Sequence, residues 1–88
     1  MPEYMYDFNP NVNQAYWKDS AGNEYFGIAP RGSELADAKW MIIKLEVTSG
    51  SGGTGWNMKW ADSNDLPDNV WGSPAAVESL TYGLLARR

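Results

Sequence analysis

The chain has 88 residues, a formal net charge of −4, 14% aromatic residues and neither cysteine nor histidine. That length supports one domain, and the acidic balance argues against non-specific nucleic-acid binding, which needs a basic footprint. The missing residue types exclude disulfides, thiol nucleophiles, histidine general-base chemistry and most transition-metal sites.

Residues 1–13, MPEYMYDFNPNVN, read as an extended N-terminal arm ahead of a single β domain at 14–88. Tyr4, Tyr6 and Phe8 alternate, which suits an extended segment that lays one face on a surface. Prolines and asparagines break any regular element there. The surface is either the chain's own domain or a neighbouring subunit. The start MPEYMYDF is acidic and aromatic, which is unlike a signal peptide, and no apolar run reaches the roughly 18 residues of a membrane-spanning helix.

Residues 14–29 read as a hairpin. Ala15 to Lys18 form a short strand, Asp19 to Asn23 a turn, and Glu24 to Ile28 the return strand, with Gly22-Asn23 supplying positive φ. Ser33 is placed to cap a helical turn over Glu34 to Ala38, too short to be a stable helix alone. Lys39 to Thr48 is the strongest strand pattern. Met41, Ile43, Leu45 and Val47 share one face, Trp40, Ile42, Lys44 and Glu46 the other. The first face is wholly apolar, so it is expected to be the core face. On the second, the Trp40–Ile42 end is expected to be covered and the Lys44–Glu46 end wet.

Ser49 to Gly55, SGSGGTG, reads as a flexible seven-residue connector. It has neither the GxxxxGK[ST] nor the GxGxxG pattern of a phosphate cradle. Trp56 to Ala61 alternates again, with Trp56, Met58 and Trp60 on one face, and pairs antiparallel with the preceding strand. Asp62 to Asn69 is a loop built on Asn/Asp turns and Pro67. Val70-Trp71 is an apolar anchor, Ser73-Pro74 suits the start of a helical turn, and Val77 to Leu85 is read as a last strand. Five short strands joined by Gly/Asn/Pro turns predict an all-β fold, a small antiparallel barrel or sandwich. An open sheet would leave edges that recruit other strands.

Asp62, Asn64, Asp65 and Asp68 form the densest acidic cluster. A calcium loop needs alternating oxygens and a glycine at its sixth position. Here Leu66 and Pro67 occupy the fifth and sixth, so a solvated turn is expected. No metal and no cofactor is implied, and no catalytic set stands out. The five tryptophans suggest either core or a binding platform. Trp40, Trp60 and Trp71 are expected in the core. Trp17 and Trp56, both beside turns, join Tyr4, Tyr6 and Phe8 as candidate subunit-interface residues.

The strings EYFGIAPRGSELADAKWMIIKLEV, MKWADSNDLPDNVW and ESLTYGLL resemble a group of small β-rich structural proteins of tailed bacteriophages. In that group a Tyr-x-Gly-x-Ala segment precedes Pro-x-Gly, Trp-x-Ile-x-Lys-Ile, a Trp-Ala-Asp-Gly-Asn turn, Val-Trp and a closing Leu-Thr-Tyr. Tyr25, Gly27, Trp40, Lys44, Trp60, Trp71 and Tyr82 stand at matching positions. The chain departs at Ser63, where the group has glycine, and at Gly72-Ser73-Pro74, where a charged run is usual. The resemblance implies a non-enzymatic virion component (capsid decoration, neck, or tail and fibre). Its expected partners are other virion proteins and copies of itself, with neither nucleic acid nor membrane as a partner. A free module binding a host-surface glycan or protein at a fibre tip is the competing expectation, and a phage inhibitor of a host enzyme a further one.

Overall fold

The computed structural model describes residues 12–85; the arm residues Tyr4, Tyr6 and Phe8 lie outside them. The fold is all-β and antiparallel. β1 (Val12–Lys18) and β2 (Glu24–Pro30) pair from Val12↔Pro30 to Lys18↔Glu24. The turn between them is organised by Asp19. Its carboxylate accepts the backbone N–H of Ala21 at 3.0 Å and of Asn23 at 2.9 Å, and Gly22 takes φ +94°. Asn23 Oδ1 in turn accepts the N–H of Val47 at 2.9 Å, fixing the turn against the next strand.

β3 (Ala38–Gly50) is the central strand, and β4 (Gly53–Ala61) returns along it from Gly50↔Gly53 to Ile43↔Trp60. The seven-residue connector is therefore corrected to a two-residue turn, Ser51-Gly52. Ladder hydrogen bonds need only backbone groups, so Ser49↔Thr54 and Thr48↔Gly55 pair despite their small side chains. β5 (Asn69–Val70) pairs with the start of β3. A short helix, α1 (Pro74–Glu78), follows Ser73, whose Oγ accepts the Ala76 N–H at 3.2 Å as an N-cap. β6 (Tyr82–Gly83) closes against the end of β4. Of the expected last strand over 77–85 only Tyr82-Gly83 is strand, because Ser73-Pro74 starts a helix that ends at Glu78 and carries Val77 into the core. The segment at 34–38 is a turn in which Asp37, not Ser33, supplies the side-chain acceptor, taking the Glu34 N–H at 2.9 Å.

The strands form one open sheet in the order β1-β2-β3-β4-β6, with β5 beside β3. Tyr25, Ala29, Trp40, Ile42, Ala61, Trp71 and Val77 make the buried core, with Ala15, Trp17, Leu80 and Tyr82 packed around it. This is the Trp40–Ile42 face of β3. The expectation that Met41, Ile43, Leu45 and Val47 face the core is overturned: all four are only half-buried. Alternation determines which residues share a face, but coverage decides which face is inside. The segment from Trp71 to Tyr82 folds over the other side. The small residues Gly27, Ala29 and Ala61 there leave room for the rings of Trp40 and Trp71, whose centroids lie 6.0 Å apart.

Candidate interaction surface

The two faces of the sheet have different chemistry. On the covered face, Lys44 Nζ lies 5.6 Å from the Tyr25 ring centroid and 5.5 Å from that of Tyr82. It thereby roofs the aromatic end of the core with a cation. Beyond it, Glu46 bridges Lys59 at 2.9 Å and Lys44 at 3.5 Å. Hydrogen bonding from Lys59 and the nearby ammonium charges hold the Glu46 carboxyl below its usual range. Burial and the neighbouring Asp19 carboxylate push the Tyr25 hydroxyl upward, and burial does the same for Tyr82. Each phenol has an acceptor, Asp19 Oδ2 at 2.8 Å for Tyr25 and Val77 O at 2.8 Å for Tyr82. These groups stabilise the fold.

On the opposite face, β3 presents Met41, Ile43, Leu45 and Val47, and β4 presents Trp56, Met58 and Trp60 beside them, with Val47↔Trp56, Leu45↔Met58 and Ile43↔Trp60 as cross-strand pairs. β2 adds Phe26 and Ile28 in register with Ile43 and Met41. Among the described residues, no helix or second sheet packs on this side. Trp56 is 52% exposed and Met58 47%. The charged residues that alternation places on this face of the strands lie at its ends: Lys18 and Glu24, which are cross-strand partners, at one end, and Lys39, two residues before Met41, at the other. Tyr16 OH also donates to Glu24 Oε1 at 2.6 Å. At the other end a cavity of about 410 Å³, lined by Val12, Ile28, Ala29, Pro30, Met41, Asp65 and Pro67, opens beside the start of β1.

Of the sequence-predicted interface residues, Trp56 lies on this open face. Trp17 does not: it packs at the margin of the core, and its Nε1 donates to Glu78 Oε2 at 2.7 Å, tying β1 to α1. Tyr4, Tyr6 and Phe8 fall outside the described residues. Trp40 and Trp71 are buried as expected, whereas Trp60, expected in the core, is half-buried on the open face. The acidic loop folds as a turn: Asp62 and Ser63 take φ of 56° and 57°, and Asn64 Oδ1 accepts the Leu66 N–H at 3.0 Å. Sequence reasoning missed Asn69, a buried amide that donates to Trp40 O at 3.1 Å and Leu66 O at 3.4 Å and anchors this loop to β3. Its only trace in the sequence was a polar residue directly before the apolar pair Val70-Trp71. Among the described residues, no group of three carboxylates converges to hold a metal ion, and no helix is long and apolar enough to cross a membrane.

Comparison with protein-family models, with curated proteins and with solved structures finds no match for this chain.

Proposed function

We propose that the chain is a non-enzymatic structural subunit of a tailed-phage virion, assembled with copies of itself and with other virion proteins through its open sheet face, its sheet edges and its N-terminal arm. The observation that carries the assembly reading is the continuous apolar face from Met41 to Val47 and Trp56 to Trp60, with Trp56 and Met58 half exposed. A contiguous apolar patch of this kind marks an interaction site. The placement in a virion rests on the sequence resemblance alone. Within that reading, localisation is the particle, as capsid decoration, neck, or tail and fibre component.

The alternative, a module at a fibre tip that binds a host-surface glycan or protein, is favoured by the exposed ring of Trp56. Sugar recognition joins an aromatic platform to convergent polar groups, because each hydroxyl must recover its hydrogen bonds. The neighbours of Trp56 on its own face are Val47, Met58 and Thr54, which suit a protein surface better than a sugar.

Quantifying this chain in purified virions tests the proposal. Presence at a fixed ratio to the major capsid protein supports it, with hundreds of copies indicating decoration and six or twelve a neck or tail position. Absence from washed particles refutes it.

A further inference from the structure

β4 is the most exposed strand of the sheet, and its outer edge is only partly paired. β6 meets it at Trp60↔Gly83 and Ala61↔Tyr82. Among the described residues no strand pairs with Gly53–Lys59 on the side away from β3. A free edge presents a row of backbone donors and acceptors, and soluble proteins commonly blunt such edges with proline, a bulge or inward-pointing charges. This stretch, GTGWNMK, has no proline. Its pairing with β3 runs without a register shift. Its one charge, Lys59, is engaged with Glu46 of the covered face.

We propose that the free edge of β4 pairs antiparallel with the same edge of a second copy of this chain, about a two-fold axis at Trp56. The inference deepens the assembly reading, and rests on it, by naming the first partner. Two features argue for a second copy. First, the unpaired stretch runs from residue 53 to residue 59, and its midpoint is Trp56. Antiparallel pairing of the stretch with itself sets Trp56 opposite Trp56, Thr54 opposite Met58, Gly55 opposite Asn57 and Gly53 opposite Lys59. It uses the whole free edge and stops before β6. Second, this register is compatible in charge and in face. Each Lys59 meets a glycine, so no like charges oppose one another. An axis normal to the sheet keeps the two apolar faces on one side, where the tryptophans form an aromatic cross-strand pair. The seven paired residues span about 23 Å. The contact is at the small end of protein interfaces, suited to subunits held at high local concentration.

The test uses the full chain carrying Thr54→Cys and Met58→Cys together. The protein has no other cysteine. The two positions lie about 13 Å apart along one strand, too far for an intrachain disulfide. Oxidation is expected to give a covalent dimer of twice the 9.8 kDa chain mass. Trp56→Lys, read by sedimentation with far-UV circular dichroism as the folding control, is expected to raise the dimer dissociation constant about tenfold or more. Absence of a covalent dimer overturns the inference, whether the wild-type chain self-associates or stays monomeric. Virions that contain the variant without the cross-link overturn the pairing and leave the assembly reading standing. A cross-linked dimer from a chain missing from virions supports the pairing and removes the virion reading.

Discussion

Gly27 lies directly beneath the indole of Trp71: a methyl group at Gly27 would sit 2.5 Å from Trp71 Cε3 and 3.0 Å from Trp40 Cε3. The missing side chain on β2 is what lets two tryptophans share one small core. Gly27→Ala is therefore expected to destabilise the protein by about 1–3 kcal/mol, the usual cost of overpacking. Gly50→Ala, at a position with open space around it, is expected to stay within about 0.5 kcal/mol of wild type. Urea midpoints of the two variants check this.

The inversion of the sheet faces predicts unequal costs for two neighbouring aliphatic truncations on β3. Ile42 is fully buried and Leu45 half-buried. Ile42→Ala should cost about 2–5 kcal/mol, because it removes buried methyl groups and leaves a cavity. Leu45→Ala should cost about 1 kcal/mol, since part of its surface is already in water. Chemical denaturation of the pair reads the difference, and equal losses would restore the core to the face first expected.

Asp19 makes the β1–β2 turn sensitive to acid. Burial pushes its carboxyl up, but hydrogen bonds from the Asn23 and Tyr25 side chains and from the Asn23 and Ala21 N–H groups outweigh this and hold it below 3.8. A depressed folded value means the carboxylate contributes stability above about pH 4, and that contribution fades as pH falls through the folded value. Asp19→Asn should be less stable than wild type at pH 7 by about 1–2 kcal/mol. The gap should close toward pH 2. Thermal melts of both proteins from pH 7 to pH 2 measure it.

Asn69 donates to the Trp40 carbonyl from a buried position. Asn69→Ala leaves a buried acceptor without this donor and frees the loop between β4 and β5. A loss of about 1–3 kcal/mol is expected, with a red shift in tryptophan emission as Trp71 gains water. Unchanged emission and stability would show that the loop is anchored by other contacts.

Much of the fold was legible because period-two alternation is strong in β3 and β4, and because Gly22-Asn23 and Ser73-Pro74 carry local turn and cap chemistry. The side of the sheet that forms the core was not legible. Met41, Ile43, Leu45 and Val47 are more apolar than the face that carries Lys44 and Glu46, and hydrophobicity alone points to the wrong one. The outcome depended on Trp71, Val77 and Tyr82, distant in sequence, crossing to the opposite side. The connector at 49–55 was also misread, since glycine and serine signal flexibility by composition while backbone pairing across Ser51-Gly52 needs no side chains. Trp56 was identified as a candidate interface residue by its position beside a turn. Its apolar neighbourhood emerged only once β3 and β4 were in register.

The most direct test of an assembling open face is sedimentation equilibrium of the full chain beside Leu45→Lys, a charge placed in the middle of the apolar face. The account predicts that the wild-type weight-average mass rises above 9.8 kDa with concentration. Leu45→Lys should keep its circular dichroism and associate no further than the edge-paired dimer, so that its mass stays below that of wild type. A wild-type chain that stays monomeric at millimolar concentration, or a Leu45→Lys chain that associates just as wild type does, would contradict it.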